Sequence, residues 1–67
     1  MSIARVTEII SSSKKSFEDA IKKGINRAVK TLKNVEGAWV KEQKIIVKNG
    51  KISEYRVDLK VTFILID

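Results

Sequence analysis

Most of the side chains that could carry chemistry lie in two strand-like runs on either side of Lys48-Asn49-Gly50-Lys51. Asn-Gly between alternating apolar residues predicts a two-residue type I′ hairpin turn, because both central residues of that turn need a positive φ. With Lys48 facing Lys51, one face of the hairpin combines an aromatic ring with amide, cationic and acidic groups. The residues on that face are Gly37, Trp39, Lys41, Gln43, Arg56, Asp58, Lys60 and Thr62.

The same register predicts the pairs Trp39 with Lys60, Val40 with Leu59, Lys41 with Asp58, and Gln43 with Arg56. An ion pair between Lys41 and Asp58 and a cation–π contact of Lys60 with the indole are then within reach. An aromatic ring beside cations and donors suits a planar anionic ligand. The alternative is that Trp39 anchors a subunit interface, and both hold if the ligand lies between subunits. The candidate ligand-binding residues are Trp39, Arg56, Gln43, Gly37 and Lys60.

These residues must be positioned by a small number of elements. A β-branched run predicts a first strand over Ile3 to Ile10, ended by three serines, of which Ser13 is a plausible helix N-cap. From Phe17 the apolar residues recur with helical spacing, which predicts one amphipathic helix of about twenty residues ending near Asn34. Gly24 lies on its apolar stripe, and this placement indicates close backbone packing against a sheet, the alternative being a glycine that the helix merely tolerates.

The remaining sequence predicts a second strand from Gly37 or Ala38 to Lys48 and a third from Ile52 to Ile66. The third alternates apolar and polar side chains, so one of its faces belongs to a core. The predicted fold is α+β, in the order β-α-β-β, with one amphipathic helix covering one face of a three-stranded antiparallel sheet. We expect a single domain over residues 1–67.

Some apolar surface has no cover within this fold. The strands outreach the helix, so the hairpin end must project beyond it with Ile45, Ile46, Val47 and Ile52. Ile64 and Ile66 place apolar groups on the otherwise polar face. Uncovered apolar patches in a chain of 67 residues indicate a subunit interface.

The composition excludes several classes of chemistry. The chain has no cysteine and no histidine, so it has neither disulfides nor thiolate zinc sites, and it lacks the usual metal ligand and general base. No nucleophile–base pair, carboxylate dyad, phosphate loop or cation loop is recognisable in the sequence. We therefore expect no enzyme and no metal site.

The charge of +6, from 14 lysines and arginines against 8 acidic residues, raises the question of a nucleic-acid partner. Many of the lysines lie on the predicted helix, where Glu18 and Asp19 pair with Lys22 and Lys23 as on an ordinary solvated face. A basic nucleic-acid-binding module stays the alternative of another class. With no leader-like or membrane-spanning segment, we expect a cytoplasmic protein without membrane contact.

Three segments together resemble the dodecin family: AIKKGINRAVKTLKN over residues 20–34, WVKEQ over residues 39–43, and EYRVDLKVTFIL over residues 54–65. The resemblance covers essentially the whole chain. It implies a β-α-β-β subunit whose sheet partly wraps the helix, and a hollow homododecamer that binds a small ligand without catalysis.

The resemblance also identifies departures at the flavin site. Flavin-binding members stack paired flavins between tryptophans, with a glutamine on the isoalloxazine. The matching positions here are Gly37 and Arg56, and Trp39 lies two residues further on the same strand face. The chain thus looks more like the flavin-free branch, which includes calcium dodecins, and no cofactor is expected to bind tightly. The alternative is a flavin-storage protein (riboflavin, FMN or FAD) with a displaced tryptophan plate.

Overall fold

A computed structural model describes residues 3–65 and has the predicted β-α-β-β order. The elements are β1 (Ile3–Ser13), α1 (Phe17–Thr31), β2 (Val35–Lys48) and β3 (Lys51–Leu65). The sheet is antiparallel with the strand order β1-β3-β2, so β3 lies in the centre and α1 packs on one face. No helix in this part of the chain is long and apolar enough to cross a membrane.

The hairpin turn is as predicted. Asn49 and Gly50 have φ values of 53° and 74°, and Lys48 pairs with Lys51. The positive φ at both central positions is the signature of a type I′ turn. Further along the strands, two more predicted pairs are confirmed: Trp39 with Lys60 and Val40 with Leu59.

Between these two matching stretches the hairpin register differs from the prediction. Ser53 is an extra residue in β3 and Lys41 an extra residue in β2, so the pairing shifts by one between the two bulges. The predicted pairs of Lys41 with Asp58 and of Gln43 with Arg56 are therefore wrong. The actual pairs are Glu42 with Asp58, Gln43 with Val57, and Lys44 with Arg56. A bulge places two residues opposite one, which counting back from the turn cannot detect.

The junction between β1 and α1 also differs. Ser11 to Ser13 extend β1 instead of ending it, because they pair with β3 opposite Val57 to Tyr55. The N-cap is Ser16, whose hydroxyl accepts a hydrogen bond from the Asp19 N–H at 3.0 Å. Ser13, predicted as the cap, is buried and donates to the Asp19 carboxylate at 2.5 Å. The helix ends at Thr31 rather than near Asn34, since Leu32 is already extended.

The core lies between α1 and the sheet. Its buried apolar side chains are Ala20, Ala28, Val57, Leu59 and Val61. Gly24 confirms the predicted close packing: a Cβ there would lie 2.8 Å from Leu59 Cδ1 and 3.2 Å from Ser11 Cβ. The small residues of the helix thus let its backbone approach the central strand.

The hairpin end projects beyond the helix, as the element lengths predict. A helix of 15 residues spans about 22 Å, whereas the chain extends over 51 Å. Val47 and Ile52 are 60% and 55% exposed, Ile45 is also exposed, and Ile46 is half-buried. At the other end Ile64 is half-buried, and Ile66 lies outside the described residues.

Candidate functional site

Four of the five predicted site residues share the sheet face that points away from α1, which we call the outer face. Trp39 and Lys60 pair directly across β2 and β3, Gly37 pairs with Thr62 two residues before Trp39, and Arg56 follows on β3. The indole of Trp39 is 51% exposed. It is therefore available for contact with a ligand or a second subunit.

The fifth residue, Gln43, is not on this face. Its partner in the shifted register is Val57, which is buried beneath α1, and directly paired residues point to the same side of a sheet. Gln43 therefore belongs to the helix side and cannot join Arg56 in one site. The bulge at Lys41 is the physical reason for this correction.

Glu8 occupies the middle of the outer face, and sequence reasoning missed it. β1 pairs with β3 so that Glu8 lies opposite Lys60, and the Lys60 Nζ is 2.9 Å from its Oε1. The Nζ of Lys41, carried across by the bulge, is 3.6 Å from its Oε2. One carboxylate thus connects side chains from all three strands, and both lysines next to Trp39 are engaged with it.

Asp58 completes this cluster. Asp58 is two residues before Lys60 on β3 and so lies diagonally next to Glu8 on the same face, and the hydrogen bond from Asp58 followed by that from Lys60 lowers the pKa of Glu8 to about 2. The contact with Glu8, together with desolvation and the charge of Glu8, raises the pKa of Asp58. A carboxyl pair is therefore present, although none was recognised in the sequence. This pair depends on the register between β1 and β3, and no turn motif in the sequence indicates that register.

Arg56 is engaged by a neighbour on its own strand. Its Nη2 lies 3.2 Å from Glu54 Oε1, and this hydrogen bond is the main reason that the pKa of Glu54 is lowered. The flanking outer face forms a small cavity of about 160 Å³, lined by Ile10, Glu42, Lys44, Arg56, Val57 and Asp58. Arg56 thus lines this cavity, and Glu54 partly neutralises its charge.

At Gly37 the outer face is open. Among residues 3–65, the only heavy atom within 4 Å of a Cβ built there, apart from its chain neighbours, is Thr62 Oγ1 at 3.5 Å. Thr62 donates a hydrogen bond to the Gly37 carbonyl at 3.0 Å. The position therefore carries no side chain that could stack on a ligand, and it has space for one.

A second apolar surface lies on the helix side, along β2. A groove of about 440 Å³ runs between α1 and β2, with Ile21, Ile25, Val29, Val35 and Val40 among its lining residues. Val29 is 51% exposed there. The helix covers β1 and β3 but leaves this flank of the sheet open.

Comparison with known proteins decides the family. The family model described as Dodecin matches residues 3–65. The chain belongs to the dodecin family. Members of this family are multimeric assemblies that bind small ligands, flavin or calcium among them, and they are known as binding proteins rather than enzymes.

Solved dodecin structures share the fold closely. The dodecin from Streptomyces davaonensis is 36% identical, with a TM-score of 0.92 over 98% of this chain and 97% of that chain. A variant of the Thermus thermophilus dodecin is 30% identical, with a TM-score of 0.93 over 100% of both chains. Among curated protein sequences none matches.

A third relative is named for its ligand. The calcium dodecin from Mycobacterium tuberculosis, described as a calcium-chelating antigen with a novel calcium-binding site, is 35% identical, with a TM-score of 0.81 over 91% of this chain and 87% of that chain. Within residues 3–65 of the present family member, no group of three or more acidic side chains is arranged to hold a metal ion.

Proposed function

We propose that this chain is the subunit of a homododecameric shell that binds or sequesters a small ligand without catalysis. The observation that carries the proposal is the apolar hairpin end, where Val47 and Ile52 are more than half exposed. In a monomer this surface would face water, whereas a neighbouring copy would cover it. The open groove between α1 and β2 supports the same inference, since it offers further apolar surface for contacts between copies.

Light scattering on the purified protein tests the assembly. We expect a single closed species of twelve chains, and Ile52→Asp should dissociate it by placing an unpaired charge in a dry contact. Lys51→Asp is the matched control, because it places the same carboxylate at the adjacent exposed position. A monodisperse wild-type monomer at micromolar concentration, or normal assembly of Ile52→Asp, would contradict the proposal.

Within this proposal the outer face around Trp39 lies between copies, where Trp39 anchors the subunit contact and the ligand binds beside it, and flavin binds there weakly. Gly37 lacks an aromatic ring, and each aromatic pair contributes about 0.5 to 1.5 kcal/mol beyond buried area. The purified protein should be colourless, and riboflavin or FMN should keep most of its fluorescence at micromolar protein. Gly37→Trp should create quenching because the position has room, whereas Gly37→Ala should not.

Flavin storage with a displaced plate is the second candidate, and the half-exposed Trp39 on the same face favours it. In that case the wild type binds flavin tightly and quenches its fluorescence, and Trp39→Ala abolishes this quenching while the assembly persists.

Calorimetric titration with calcium provides a parallel test, because the 35%-identical relative from Mycobacterium tuberculosis is a calcium dodecin. Heat that disappears on removal of the carboxylates of Glu8 or Asp58 would assign calcium to the outer face.

The nucleic-acid alternative has weaker support. Tyr55 packs against Phe17 with ring centroids 5.2 Å apart, on the opposite side of the sheet from Trp39. The two aromatic residues therefore do not form one stacking surface. We expect only weak binding that disappears between low and physiological salt, and salt-resistant, sequence-selective binding in an electrophoretic titration would reverse this order of candidates.

A further inference from the structure

Glu8 and Asp58 are diagonal neighbours on the outer face, since Glu8 pairs with Lys60 and Asp58 is two residues before Lys60 on β3, and this proximity has a direct chemical consequence. An ionised carboxylate accepts hydrogen bonds but cannot donate them, so two carboxyl groups form a hydrogen bond only when one of them carries a proton. Like charges on neighbouring side chains also oppose ionisation of both groups. The pair therefore cannot be doubly ionised without losing the contact.

The neighbouring cations determine which group keeps the proton. Lys60 and Lys41 both reach Glu8, at 2.9 Å and 3.6 Å, which favours the charged form of that residue. Asp58 has no cation at salt-bridge distance within the described chain, and its Oδ1 is buried without a hydrogen-bond partner there. Burial of an unpaired oxygen disfavours ionisation, so the proton belongs on Asp58, which donates to Glu8.

We propose that Glu8 and Asp58 hold one proton between them, and that this proton makes the outer face of the sheet a pH-sensitive clasp joining all three strands. The other charged groups that face the pair are Lys41 and Glu42 from β2 and Lys60 from β3. Glu42 adds a second negative neighbour to Asp58, whereas Arg56 is engaged with Glu54. The helix packs on the opposite face, which leaves the clasp to these strand residues.

The sign of the pH dependence follows from the two opposite shifts. The raised pKa of Asp58 contributes stability that is present below its unfolded pKa and is lost as the pH rises through its folded value. The pKa of Glu8, lowered to about 2, contributes stability that is present above its unfolded value and is lost only as the pH falls through about 2. The clasp is therefore strongest in weak acid and loosens as the pH rises through the raised pKa of Asp58.

Loss of this proton also changes the surface proposed to bind a ligand. Trp39 lies directly opposite Lys60, the lysine closest to Glu8. A second negative charge beside Glu8 attracts both lysines and makes the surroundings of the indole more acidic. The clasp itself requires neither an assembly nor a ligand, so its test is independent of the proposed function.

Asp58→Asn provides the first test, measured as unfolding of the intact wild-type and variant proteins across weakly acidic to alkaline pH. Asparagine donates to Glu8 as a protonated aspartate does but does not titrate. We expect the melting temperature of the variant, relative to that of wild type, to rise as the pH increases. Glu54→Gln is the control: it removes a group whose pKa is lowered, so its difference from wild type should become more unfavourable as the pH increases. A pH-independent difference for Asp58→Asn would overturn the proposal.

A second measurement does not depend on that variant folding. Carboxyl carbon chemical shifts of the wild type should show Asp58 titrating above the ordinary aspartate range of about 3.9. In Glu8→Gln, the repulsion and the accepting carboxylate are both removed, and the Asp58 midpoint should fall. If both carboxyls of the wild type titrate at or below their ordinary values, no shared proton exists.

Discussion

The two faces of β3 differ in how the rest of the molecule uses them. On the helix side Val57, Leu59 and Val61 are almost completely buried and pack with Ala20 and Ala28 in the apolar core. On the outer face Asp58 and Lys60, the residues between them, form a half-buried polar cluster with Glu8. One strand thus supplies the core by its odd positions and the candidate contact surface by its even ones, which separates the residues that hold the fold from those available to a partner.

Leu59→Ala should produce the largest effect. Leu59 is 1% exposed at the centre of the core, and truncation of a buried leucine costs about 2–5 kcal/mol in transfer and cavity terms. In a domain of this size that loss approaches the whole free energy of unfolding. Denaturant unfolding measures it, with the half-exposed Leu65→Ala as the control that should lose much less. Equal losses for the two variants would remove the distinction between the faces.

Gly24→Ala tests how closely the helix backbone packs against the sheet. Alanine improves helix propensity by about 1 kcal/mol, but its Cβ would lie 2.8 Å from Leu59 Cδ1, and overpacking of this kind costs about 1–3 kcal/mol. We expect a net loss of about 1 kcal/mol in the free energy of unfolding, since the second contact, Ser11 Cβ at 3.2 Å, is fixed to the strand. The exposed Asn26→Ala should instead gain about 0.5 kcal/mol from propensity alone. A stabilised Gly24→Ala would mean that the close approach relaxes at no cost.

Trp39→Ala should show whether Trp39 contributes to contacts between copies or to the stability of the subunit fold. The indole is 51% exposed, so we expect a change of about 1 kcal/mol or less in the stability of the subunit fold. As an anchor between copies, however, its removal should raise the concentration at which the assembly dissociates by at least about tenfold. Dilution series by mass photometry, beside circular dichroism, distinguish the two effects, with the exposed Lys44→Ala as control. An intact assembly of unchanged affinity would leave Trp39 to a ligand.

The sequence predicts the core face better than the outer face, and the reason is geometric. Alternation along β3, the helical spacing through Gly24 and the Asn49-Gly50 turn are local signals, and all of them agree with the structure. The bulges at Lys41 and Ser53 leave no comparable signal, because the sequence around them still alternates plausibly.

Glu8 was missed for a different reason. Its strand joins the sheet across a helix rather than a tight turn, so the sequence does not specify its register. The serines that were predicted to end β1 instead belong to it, and the last of them, Ser13, donates a hydrogen bond to Asp19. The helix is capped by Ser16. The roles of Glu8 and of the β1 serines thus depend on pairing between distant segments.

The smallest effect is expected for Lys41→Met, within the outer cluster. The Lys41 ammonium is 3.6 Å from Glu8 and its side chain is 48% exposed, whereas Lys60 is at 2.9 Å and 28% exposed. Exposed ion pairs contribute little because solvent screens them and ordering the side chains costs entropy. Lys41→Met should therefore leave the melting temperature almost unchanged at physiological salt, and Lys60→Met should lower it more. The difference should shrink as salt is added. If Lys41→Met is the more damaging variant, the lysine brought in by the bulge, and not the one paired directly across the strands, holds Glu8 in place.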